Sequence, residues 1–171
     1  MDAGLTALLG AAVGSLTTLG TALLTGRTTA RTQHEQWRRQ HRRDAYANYL
    51  GALHDRDVAM DAVLAALRPQ SPDLHDLDEK VERFVALARG VHRAAEIVHL
   101  EGPPAAVAAA DDVALASEGL SEVMRRMVER AHAGDTTGKA ADTALAAERE
   151  HLLYQAVNGF RRTAGRTLGR G

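Results

Sequence analysis

"LHDLDEKVERFVALARGVHRAAEIVHLE", residues 74–101, decides the fold. Its apolar residues Leu74, Leu77, Val81, Phe84, Ala88, Val91, Ala95 and Val98 step by alternating threes and fours, with charged residues between them. That spacing draws one apolar stripe along an α-helix, whereas a half-buried strand would alternate every second residue. A narrow a/d stripe is the seam of helices packed side by side, so residues 74–101 predict a helix that needs partner helices to cover it.

Working outward, helix-breaking residues bound this stretch and repeat further on. Arg68-Pro69-Gln70-Ser71-Pro72 precedes it, Gly102-Pro103-Pro104 follows it, and Gly134-Asp135-Thr136-Thr137-Gly138 comes next. The cuts predict helices at about 27–67, 74–101, 104–133 and 139–166, with a flexible tail at 167–171. The first offers Tyr46, Leu50, Leu53, Met60, Leu64 and Leu67 to the seam, with Asp57 interrupting it. The third offers Val113, Leu120, Met124 and Met127, and the fourth Leu145, Leu152, Ala156 and Phe160. Short connections make neighbours antiparallel, which predicts an all-α, up-down four-helix bundle over 44–166. A seam of Ala, Leu and Val leaves no obvious room for a ligand.

Composition agrees. The 171 residues carry only 4% aromatics and no cysteine, which excludes disulfides and thiolate metal sites. From Ala3 to Gly26 no residue is charged, and this run is about 36 Å long as a helix, enough for a hydrocarbon core of about 30 Å. We read 3–26 as a transmembrane helix. Gly10 and Gly14 form a GxxxG at which two helix backbones can approach closely. The positive charges follow the run instead of preceding it, which disfavours a cleaved secretory signal. By the positive-inside rule the N-terminus lies outside and everything after Arg27 is cytoplasmic, giving a single-pass protein of the cell membrane.

The net charge of −1 conceals an uneven distribution. A stalk at 27–43 carries Arg27, Arg31, Arg38, Arg39, Arg42 and Arg43 against Glu35, for +5; residues 44–150 sum to −9; Arg161, Arg162, Arg166 and Arg170 give +4 to the C-terminus. In an up-down bundle the fourth helix returns toward the start of the first, so both basic groups are expected at one end, facing anionic lipid headgroups. Nucleic-acid phosphates attract the same pattern, but Trp37 stands alone, without interleaved aromatics, and no helix-turn-helix or zinc-finger spacing is present.

Chemistry-bearing motifs are few. Three Glu-x-x-His pairs, Glu96/His99, Glu129/His132 and Glu148/His151, share the spacing by which ferritin-like bundles hold metal ions. Glu96, His99, Glu148 and His151 are thus the alternative metal ligands, and His92, Glu96 and His99 the alternative zinc set. The four-residue set spans heights that differ by about 20 Å and the zinc set offers three ligands near an exposed surface, which favours ordinary ion pairs on helix surfaces and no cofactor. Phosphate-binding loops and nucleophile signatures are missing, and Ser117 and Ser121 have no base at triad-like spacing, so no enzymatic activity is expected.

The uncharged run, its arginine-rich continuation and "WRRQHRRDAYANYLGAL" at 37–53 resemble a group of small actinobacterial single-pass membrane proteins with a helical cytoplasmic domain, including the KilB-type plasmid spread proteins. The resemblance covers about residues 3–53. It implies a role in plasmid transfer, while the residues themselves lead to a membrane-anchored, non-enzymatic helical scaffold that pairs with itself or with another membrane protein. It supplies no catalytic residue.

Overall fold

The computed structural model describes the backbone of residues 3–169 and the side chains of Gln33 and residues 35–169. Four helices follow one another: α1 (Ala3–Ala66), α2 (Leu74–Glu101), α3 (Pro104–His132) and α4 (Lys139–Thr167). Among the described residues there is no strand, and the chain is all-α. It divides into two compact units, Met1–Gln40 and His41–Gly171. The first holds the N-terminal part of α1, and the second holds the bundle.

Local chemistry sets the helix ends. The Asp73 carboxylate accepts from the backbone N–H groups of His75 (3.0 Å) and Asp76 (3.3 Å), supplying partners that the first turn of α2 lacks. Gly102 ends α2, its N–H donating to the Val98 carbonyl at 2.8 Å. Its φ of −82° is open to any residue, but an added Cβ would lie 2.6 Å from the Val98 oxygen. Pro104 then opens α3, where a missing N–H costs nothing. Gly134 and Gly138 turn the chain into α4 at φ 64° and 78°, the left-handed region that glycine enters freely.

Contacts at both ends fix the helix directions within the second unit. Near the start of this unit, Arg42 Nε on α1 donates to the Glu101 carbonyl at the end of α2, 2.9 Å away. Beside it, Tyr46 and Tyr49 meet the Phe160 ring of α4 edge-on, at centroid distances of 5.6 and 5.0 Å. At the other end, Lys139 Nζ donates to the Pro69 carbonyl. His132 at the end of α3 bonds Asp78 at the start of α2, at 2.8 Å. Successive helices therefore run antiparallel, as expected for up-down connectivity.

The seam of α1 differs from the sequence reading. The structure turns Tyr46, Tyr49, Leu53, Met60, Val63 and Leu67 inward, leaving Leu50 and Leu64 half-buried on the flank. From Tyr46 a three-four alternation can begin with either step. The chosen register buries the large Tyr49 ring, and it carries Arg56 rather than Asp57 toward the interior. A one-residue shift also occurs on α4, where Ala146 is buried rather than Leu145, and Leu153 packs inward while Leu152 is exposed. On α3 the expected Val113, Leu120, Met124 and Met127 are buried, joined by Ser117.

The core consequently forms two clusters. One gathers Tyr46, Tyr49, Leu53, Val98, Val113 and Phe160; the other gathers Met60, Val63, Leu77, Leu120, Met124 and Met127. Arg56 and Ser117 lie between them along α1 and α3. Among the described residues no helix is long and apolar enough to cross a membrane. The side chains of the predicted span at 3–26, including its Gly10 and Gly14 positions, lie outside the described residues.

Candidate functional site

Two features of the bundle are candidates for function: its basic end and an arginine set into its interior. At the end where Tyr46 and Phe160 pack, α1 supplies Arg42 and Arg43, and the last turns of α4 supply Arg161, Arg162 and Arg166. Arg43, Arg161, Arg162 and Arg166 are exposed, and Arg42 is held against the end of α2. Arg161 reaches Asn158 Oδ1 at 3.4 Å. Arg42, Arg43, Arg162 and Arg166 thus lie toward one end, a concentration of positive charge, whereas Arg161 lines a cavity beside Asp57. Arg38 and Arg39 are exposed residues of the first unit, as is Trp37. The Arg27, Arg31 and Arg170 side chains lie outside the described residues.

Arg56 is the unexpected residue. Its guanidinium donates through Nη1 to Ser117 Oγ and through Nη2 to Ser121 Oγ, the latter at 3.1 Å. Ser121 passes its own proton back to the Ser117 carbonyl, 2.7 Å away. The Phe84 ring of α2 lies under the guanidinium carbon at 4.5 Å, a cation–π contact. Among the described residues, Nε is enclosed without an acceptor, and no carboxylate lies within ion-pair distance of the guanidinium. Burial pulls the Arg56 pKa down, with Tyr49 nearby opposing that shift. Tyr49 itself is pushed up to about 12 by burial first, then by the charge of Asp111.

Two openings flank this arginine. A cavity of about 170 Å³ lies on the α1–α4 side, with Asp57, Asp61, His54, Glu150 and Arg161 among its polar walls. Asp57, expected within the seam, stands exposed there; partial burial and the adjacent Asp61 raise its pKa, while His54 and Arg161 lower it. An apolar groove of about 300 Å³ opens between α2 and α3. The expected solid core is therefore interrupted. Arg56, Phe84 and Ser121 line both spaces and form the partition between them.

The Glu-x-x-His pairs are dispersed. His99 bonds the Ala95 carbonyl and Asp111 of α3, each at 2.8 Å, while Glu96 meets His92 at 3.3 Å. His132 crosses to Asp78, and His151 bonds Gln155 at 2.8 Å, leaving Glu148 exposed. None of the pairs closes on itself, contrary to the expected pairing within each helix. Among the described residues no group of three or more acidic or histidine side chains could hold a metal ion, so Glu96, His99, Glu148 and His151 do not assemble into the alternative metal site.

Sequence reasoning also missed Asp142. It is buried at the start of α4, where Oδ1 accepts from Arg126 Nε (3.0 Å) and Nη2 (2.8 Å) and Oδ2 accepts from Arg130. Only its place in the first turn of a helix hinted at a partner, through the helix dipole. Comparison of the chain with protein-family models, with curated proteins and with solved structures finds no match.

Proposed function

We propose that this chain is a membrane-anchored helical interaction module without catalysis of its own, held to the inner face of the cytoplasmic membrane by residues 3–26. The observation that carries this reading is the gathering of Arg42, Arg43, Arg162 and Arg166 at the bundle end where residue 41 enters. The charge-free run immediately precedes the basic stalk in the chain, and each arginine near an anionic leaflet contributes about 1 kcal/mol. The opposite end, with Asp73, Asp76, Asp78 and Asp135, then faces the cytoplasm and is free to meet a protein partner. A second copy, or another membrane protein, pairs through Gly10 and Gly14. The plasmid-spread setting belongs to this proposal and has the resemblance at 3–53 as its sole support.

Membrane fractionation tests the reading. The full chain should resist both alkaline and high-salt washes, and a version beginning at Arg27 should be released by salt. A full chain recovered in the supernatant without any wash overturns it.

A further inference from the structure

The groove between α2 and α3 has walls of Val63, Val81, Val85, Ala88, Met124 and Val128, with Arg56, Phe84 and Ser121 at its inner end. Apart from Arg56, its charged residues are Arg125 and Glu129, which are exposed and of opposite sign. A long apolar wall ending at a single guanidinium is amphipathic.

The guanidinium sets the chemistry of a ligand that would fit this groove. Arginine has five N–H donors in a planar fork, and the two hydrogen bonds of Arg56 go to serine hydroxyls. Its Nε–H is enclosed with no acceptor, and among the described residues no carboxylate forms an ion pair with it, Asp57, Asp61 and Glu150 lining the α1–α4 cavity instead. A charge partly withdrawn from water is stabilised by an opposite charge and hydrogen-bond partners, and the direct contacts of Arg56 are neutral oxygens and a ring face. Carboxylate geometry matches the guanidinium fork.

The side of approach follows from charge. On the α1–α4 side, Asp57, Asp61 and Glu150 would repel an anion. The α2–α3 side presents apolar walls that suit an alkyl chain and offer no donors to a bare inorganic anion. At about 300 Å³ the space stands at the lower limit of ligand pockets, which selects a short chain.

We propose that this groove binds an amphipathic monocarboxylate, a medium-length alkyl chain lying between α2 and α3 with its carboxylate on Arg56. Ser121 assists by turning its hydroxyl toward the bound anion. The binding is independent of how the chain meets a membrane.

Octanoate is the probe, titrated into the full chain and followed by backbone amide NMR, with octanol and octylammonium as comparators of equal chain length. Octanoate should bind saturably, shifting residues near 81–88 and 121–128. Octanol should bind about tenfold or more weakly, the loss expected for a charge-assisted hydrogen bond, and octylammonium should not saturate. Arg56→Met keeps an apolar stem and should weaken octanoate by a similar factor, while Ala88→Phe should fill the groove and abolish binding. Absence of saturable octanoate binding overturns the proposal, as does octanol binding as tightly as octanoate. Should Arg56→Met fail to fold, the octanol comparison and Ala88→Phe still decide, because both retain the guanidinium.

Discussion

At His99 both ring nitrogens face acceptors, the Ala95 carbonyl on Nδ1 and Asp111 on Nε2. Only imidazolium carries a proton on each. The backbone bond first, and the Asp111 bond second, raise the His99 pKa above its ordinary 6.5. A histidine pKa raised by folding adds stability that is complete below the unfolded value and is lost as pH climbs through the folded one. His99→Gln should therefore lower the urea midpoint at about pH 5.5 and leave it nearly unchanged at about pH 9. The exposed pair limits the difference to less than about 1 kcal/mol. An equal loss at both pH values would mean that the ring matters only by packing. At this scale little was legible in the sequence. The Glu-x-x-His spacing is real, but it reports neighbours on one helix. His99 and His132 find their partners on adjacent helices, which no local pattern encodes. Likewise Arg56 reads as an ordinary charged residue between seam positions until Ser117 and Ser121 are seen opposite it.

The elements were far more legible. Pro69, Pro72, Gly102, Pro103, Pro104, Gly134 and Gly138 terminate helices through their own backbone chemistry, and the observed ends fall at them. Register was not legible on α1 and α4, because a stripe with half-buried flanks can be entered one residue early or late. What chooses is the partner surface: Phe160 rewards two tyrosine rings at once. Phe160→Ala should accordingly cost about 3–5 kcal/mol in chemical unfolding, the range for removing a fully buried aromatic ring. A loss below about 1 kcal/mol would show that the α1–α4 contact rests on other groups. At the opposite end Asp142→Ala should cost about 1–3 kcal/mol, because Arg126 and Arg130 lose their shared acceptor while staying partly hydrated. Gly102→Ala should also destabilise, and an unchanged melting temperature would mean that the α2–α3 corner yields easily.

For the whole molecule, charge is read as a sum over position. Arg161→Glu, Arg162→Glu and Arg166→Glu together should weaken sedimentation with vesicles containing anionic lipid and leave binding to neutral vesicles unchanged. Equal binding of this variant to both would remove the basic end from the membrane reading. Gly10→Leu with Gly14→Leu should reduce crosslinked dimer in membranes while keeping the chain membrane-bound, and undiminished crosslinking would exclude those glycines from pairing. The separation of the core into two clusters bears on cooperativity. Leu153 packs against both, while Arg56 and Ser117 occupy the level where apolar contact would otherwise be continuous. Free energy passes between the two ends of the bundle through few side chains, which is the condition for opening as two separate folding units. Amide exchange should then distinguish the half around Tyr46 and Phe160 from the half around Leu77 and Met127, and Leu153→Ala should widen that difference. One end of this bundle can thus loosen while the other stays folded.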